Sequence, residues 1–231
     1  MTSYRYYKSE DYILKPFYVH KIPECVIPIL TYLKNNVPFA IMGGTAYAVI
    51  KNDMGKMIND MDLLVLDINR DRLINDLSQS SDELYLNKNY NGDSFVTLFW
   101  KTANEFYKVD LKLTDKIPET VEYLLPEQIP QVYYPVVSAL WLWMDKLHKV
   151  ASAELRGANE HKTLKQADFV VDLGKHIIGS IDKVILSNID RSNLCLWLNK
   201  SIDWLVGKAS KQLVQEFTDI ATHILRIAQN T

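Results

Sequence analysis

Residues 39–66 read FAIMGGTAYAVIKNDMGKMINDMDLLVL. An apolar run from Pro38 to Met42 ends in Gly43-Gly44, and a second run opens behind Asp60 and Asp62. The first reads as a buried strand that turns at the glycines, with Thr45 to Lys51 as a short helix entered from that turn. The second, Met61 to Ile68, is apolar on both faces, the pattern of a strand central in a sheet. Side-chain period two aims the Asp60 and Asp62 carboxylates at one face. Alone, an Asp-x-Asp is most often a strand start with one carboxylate capping and the other solvated. Held together, the two repel unless a cation lies between them, and hard oxygen ligands suit Mg²⁺ or Mn²⁺. Bare glycines let backbone N–H groups approach a phosphate, and a helix N-terminus adds partial positive charge there. The Thr45 hydroxyl offers a further donor.

A third carboxylate lies downstream. In FYKVDLKL, Tyr107, Val109, Leu111 and Leu113 alternate with Lys108, Asp110 and Lys112. Asp110 therefore sits on the polar face of its strand. Taken alone, that face is solvated and its lysines neutralise the aspartate. Taken with Asp60 and Asp62, Asp110 completes the carboxylate set that a two-metal site requires.

Working outward, Pro23 to Asn36 has helical apolar spacing, with Pro28 implying a late start or a kink. Asn69 is placed to cap a helix through Gln79. Glu83 to Leu86, Ser94 to Lys101 and Phe106 to Leu113 read as three further strands, antiparallel to one another, with a turn at Asn91-Gly92. Four of the 8 prolines fall between Ile117 and Pro135, a stretch expected to hold no regular element. Beyond it the pattern is helical. Val136, Leu140, Trp143, Leu147 and Val150 form one apolar stripe. Leu164, Ala167, Val170, Val171 and Ile177 form a second, and Val214, Phe217, Ala221, Ile224 and Leu225 a third. The expected class is α+β: an α/β domain over residues 1–126 with a mixed, mainly antiparallel sheet, then a helical domain over 127–231.

The bulk properties narrow the setting. The 231 residues are 48% hydrophobic and 23% charged, with a formal net charge of -2. No global basic field draws such a chain to nucleic acid or a membrane, so any basic site is local. Cys25 and Cys195 are far apart and frame neither a disulfide scaffold nor a zinc site, which points to a reducing compartment. No apolar stretch reaches the ~20 residues a membrane span needs, and the first residues lack a signal-peptide core. A cytoplasmic protein is expected. The histidines show no ligand spacing, and His148 and His161 read as surface residues.

The motif order IMGGT, NDMDLLV, KVDLKL resembles the nucleotidyltransferase superfamily whose fold is shared with DNA polymerase β. The resemblance covers about the first half of the chain, with Thr45 where serine is common. It implies that Asp60, Asp62 and Asp110 are catalytic and bind metal, Asp60 and Asp62 both ions and Asp110 the catalytic one, with Gly43, Gly44 and Thr45 at the nucleotide. The stretch MDKLHKVASAELRGANEHKTLKQADFVVDL resembles the helical region of the abortive-infection type of nucleotidyltransferase toxins. Lys146, Arg156, Lys162, Lys165, Asp168 and Asp172 are the matching positions, although that family's adjacent Lys-Asp pair is replaced by Lys165 and Asp168, three residues apart. By this resemblance Lys146 and Arg156 bind nucleotide. The implied activity is transfer of a nucleoside monophosphate from a nucleoside triphosphate to a hydroxyl of RNA or protein, as a toxin with a possible antitoxin partner. Two alternatives stay open: a small hydroxylated acceptor such as an aminoglycoside, for which Glu105, Asp115 and Glu119 are acidic candidates, or a non-catalytic binding module of the same fold.

Overall fold

The strand behind the paired aspartates forms where the pattern places it. β5 (Asp60–Leu66) carries Met61, Leu63, Leu64 and Val65 at 0–2% exposure, so both faces are covered. The computed structural model describes residues 6–7, 14–66, 70–80, 84–87, 94–102, 105–124, 132–180 and 188–229. Two compact units emerge, Met1–Ser138 and Ala139–Thr231.

In the first unit, β5 lies between β3 (Phe39–Met42) and β8 (Glu105–Thr114). β1 (Tyr6–Tyr7), β6 (Leu84–Asn87) and β7 (Phe95–Thr102) extend the sheet on one side, and β10 (Tyr133–Val137) and β9 (Thr120–Leu124) on the other. The order is β1-β6-β7-β8-β5-β3-β10-β9. β6, β7 and β8 run antiparallel in succession as expected, and β3 is antiparallel to β5, whereas β5 is parallel to β8. A separate pair joins β2 (Phe17–Tyr18) to β4 (Met57–Ile58). The helix expected over Pro23 to Asn36 starts late: a 3₁₀ turn spans Glu24–Val26, and α1 (Ile27–Asn36) holds Pro28 in its first turn, where a missing N–H costs no helical bond. α2 (Gly43–Ile50) leaves β3 at the glycines, and α3 (Arg70–Ser80) follows β5. Asn69 and Asn91-Gly92 lie outside the described residues.

The proline-rich stretch corrects the sequence expectation. It contains β9 and β10, and β10 belongs to the sheet, antiparallel to β9 and parallel to β3. Val136 is thus a strand residue opposite Ile41, not the start of a helical stripe. Residues 132–138 stand with the sheet-bearing unit. Pro135 inside YYPVV signals a break, yet its missing N–H is tolerated because the β10–β3 ladder is short, with one residue pair in register.

Among the described residues the second unit has four helices: α4 (Ala139–Ala151), α5 (Glu160–Ser180), α6 (Asn188–Leu205) and α7 (Lys211–Gln229). α4 and α7 each pack against both α5 and α6. Gly174 lets α5 and α7 approach, since a Cβ there would stand 2.1 Å from Ile220 Cγ2. Nearby, the buried Trp143 indole donates 3.0 Å to the Val170 carbonyl. The expected stripes on α4, α5 and α7 supply the buried faces. α6 has no such stripe in the sequence reading. Its buried Leu194, Leu198 and Leu205 are interleaved with buried Ser201 and exposed Cys195 and Leu196, which blurs its period.

Candidate active site

Strand register assembles the site. Across the parallel β5–β8 ladder Asp60 faces Lys108 and Asp62 faces Asp110, while across β7–β8 Thr97 faces Asp110. In-register neighbours point the same way, so these five side chains share one sheet face. Asp60, Asp62 and Asp110 each offer a carboxylate oxygen, and these oxygens lie within 4.8 Å of one another. Three converging carboxylates are a donor set compatible with a divalent cation.

The glycine turn abuts this cluster. Met42 pairs with Asp62, so the next residue, Gly43, turns directly beside that carboxylate. Gly43 takes φ +66°, and a Cβ there would stand 1.8 Å from Asp62 Oδ2. The Asp62 carboxylate fills the volume a side chain at position 43 would claim. It lies at the N-terminus of α2, where the helix dipole favours a negative charge. Gly44 differs: its Cβ would meet only Ile58 Cγ2, at 3.4 Å, so space does not demand glycine there. Thr45 is fully buried, and its Oγ1 has no hydrogen-bond partner among the described residues.

Two residues that the sequence reading did not assign to the site belong to it. Thr97 Oγ1 donates 2.7 Å to Asp110 Oδ1, and Asp110 is 7% exposed. Lys108 Nζ donates 3.0 Å to Asp60 Oδ2 and 2.5 Å to Asp110 Oδ2. Burial by itself would pull the Lys108 ammonium down, but the adjacent Asp110 and Asp60 carboxylates override it and hold the group above the usual lysine value. The signal for Lys108 was its spacing of two from Asp110. Thr97 had none, because nothing local fixes which residue of β7 faces Asp110.

Lys146 and Arg156 lie in the helical unit. Lys146 is 7% exposed, and its Nζ stands 5.6 Å from the Phe169 ring centroid, with Lys165 Nζ at 5.9 Å from the same ring. Arg156 turns back on α4: its Nη2 donates 2.6 Å to the Lys149 carbonyl and its Nε 3.0 Å to Ser152 Oγ. His148 is exposed and sits against Trp197, with ring centroids 4.8 Å apart. Neither cysteine is in a disulfide, and no helix among the described residues is long and apolar enough to cross a membrane.

No family model matches this sequence, and no curated protein matches it. Among solved structures the chain is similar to an antigenic nucleotidyltransferase-like protein from Paracoccidioides brasiliensis, with a TM-score of 0.55 at 14% identity, over 88% of this chain and 94% of that one. It also aligns with the antibiotic-resistance factor ANT(2'')-Ia, with a TM-score of 0.36 at 12% identity, over 89% of this chain and 94% of that one. The class is therefore an α+β protein of nucleotidyltransferase-like fold. Within that fold, the particular feature of this chain is an aspartate triad with a lysine set among its carboxylates.

Proposed function

We propose that this protein is a metal-dependent nucleotidyltransferase, moving a nucleoside monophosphate from a nucleoside triphosphate to an acceptor hydroxyl. The observation that carries the proposal is the fit of Asp62 into the space left by Gly43, which joins the acid triad to a helix N-terminus. One element then binds the cation and the other the phosphates it neutralises. Asp60, Asp62 and Asp110 hold Mg²⁺ or Mn²⁺. When bound, such ions supply charge neutralisation at the triphosphate and acidify the acceptor hydroxyl. Gly43, Gly44 and Thr45 present backbone N–H groups to phosphate oxygens, and the bare Cα of Gly44, not demanded by packing, leaves that approach open. The buried Thr45 hydroxyl points to its backbone N–H as its contribution.

The acceptor oxygen attacks the α-phosphorus, and the bond to pyrophosphate breaks. With little covalent work left to side chains, rate rests on positioning and preorganised charge. Lys146 and Arg156 are the phosphate-contacting candidates of the helical unit. A buried lysine beside an aromatic ring, with Lys165 on the same ring, supports that role for Lys146. The acceptor we favour is an RNA or protein hydroxyl, in the manner of the abortive-infection type toxins, in the cytoplasm and with an antitoxin as the controlling partner. The intact triad weighs against a non-catalytic module.

Thermal unfolding with each of four nucleoside triphosphates, with and without Mg²⁺ or Mn²⁺, tests binding through linkage. A rise in Tm that requires both metal and triphosphate is expected. Asp110→Asn should then retain most nucleotide binding and lose at least about a hundredfold in turnover, as loss of one transition-state group does. Labelled triphosphates offered with total tRNA, the protein itself or aminoglycosides identify the acceptor. Indifference to every triphosphate with metal present would sink the catalytic reading.

A further inference from the structure

Lys108 stands where the cluster would otherwise need a cation. It lies opposite Asp60 in the β5–β8 ladder and two residues before Asp110 on β8. Its ammonium donates to one oxygen of each, Asp60 Oδ2 at 3.0 Å and Asp110 Oδ2 at 2.5 Å. The side chain is 22% exposed and that of Asp110 9% exposed, so the pair is screened little by solvent. An ammonium is a compact cation with donors and no acceptor, and its demand on carboxylate oxygens is the one a divalent ion makes. The same Oδ2 atoms cannot be given fully to both.

We propose that Lys108 is a displaceable counter-ion, which holds Asp60 and Asp110 together in the metal-free protein and competes with a divalent cation for their oxygens. Metal alone then binds weakly, because it must displace an ammonium from the carboxylate oxygens for which the two cations compete. A nucleoside triphosphate arriving with the metal offers the displaced ammonium phosphate oxygens, so uptake of metal and nucleotide is cooperative. This rests on the metal-site reading above, and it adds to it a reason for the order in which the site fills.

The test is a Mn²⁺ titration of the full chain without nucleotide, reading free Mn²⁺ by electron paramagnetic resonance. Lys108→Met should bind Mn²⁺ at least about tenfold more tightly than the wild-type protein, equivalent to about 1.4 kcal/mol. Lys108→Gln repeats the measurement if the methionine variant does not fold, and Lys108→Arg, which keeps the charge, should behave as wild type. With a triphosphate present the advantage of the neutral variants should shrink, since the displaced ammonium no longer contributes. Equal or weaker Mn²⁺ binding by both neutral variants overturns the counter-ion role while leaving the metal site standing. Absence of Mn²⁺ binding in wild type and variants alike overturns the metal site, and the counter-ion role with it.

Discussion

The two units distribute charge differently. In the helical unit Leu142, Trp143, Leu147, Val170, Phe217 and Ile224 are all 0% exposed, and its ion pairs include Lys175–Glu216 near solvent and Lys149–Asp145 with the aspartate side chain 6% exposed. In the sheet-bearing unit three carboxylates and an ammonium crowd one sheet face, and Asp110 is nearly buried. Apolar burial stabilises in proportion to area, whereas a partly buried charge cluster loses solvation that its partners only partly restore. The helical unit is organised for stability, and the sheet gives up some of it to hold a constellation that its own packing does not need. Lys146, 7% exposed and 5.6 Å from the Phe169 ring centroid, is a buried cation of the helical unit that asks for a functional reason.

The contrast can be broken most severely at Trp143. Trp143→Ala empties a fully buried site and removes the indole donor to Val170, so a loss of about 3–5 kcal/mol is expected in urea unfolding followed by circular dichroism. A loss below about 1 kcal/mol would mean that the interior between α4 and α5 does not hold the unit together. Gly43→Ala comes next. It places a side chain at φ +66° for about 1–2 kcal/mol and drives a methyl into Asp62 for a further 1–3 or so, in the same measurement. Its sharper signature is functional, since nucleotide-dependent stabilisation should vanish even where the fold survives.

The smallest effect lies away from the site. Tyr32 donates 2.6 Å to Asp76, linking α1 to α3, and its hydroxyl pKa is raised to about 12 by burial and then by that hydrogen bond. A raised acid keeps its proton in the folded chain after the unfolded chain, near its ordinary value of 10.0, has lost it. Stability from this residue is thus complete below pH 10 and falls as pH rises toward about 12. Tyr32→Phe should cost about 1 kcal/mol at neutral pH and flatten that alkaline slope, as pH-dependent urea midpoints will show. An unchanged slope would assign the alkaline loss to other groups.

The division between units also marks what could be read in advance. Asp60, Asp62 and Gly43 were legible because period two and a glycine turn are local properties, and Asp110 because its neighbours alternate cleanly. The stripes of α4, α5 and α7 followed from helical period. β9 and β10 were missed because tertiary pairing overrode the local message of Pro135, and α6 because Ser201, Cys195 and Leu196 blur its apolar face. Thr97 and the seating of Lys108 depend on register between strands far apart in the chain, which no window of sequence contains.

The fit of Asp62 into the missing side chain of Gly43 also bears on how the two positions can vary. The effect of any residue at 43 depends on what stands at 62, so substitutions there will not add. Shortening residue 62 relieves the collision that Gly43→Ala creates, while the left-handed backbone at 43 goes on resisting a side chain. The coupling between the two positions is therefore the steric part alone. In sequence terms they form one unit of constraint, and a change at either is tolerated or refused on the evidence of the other.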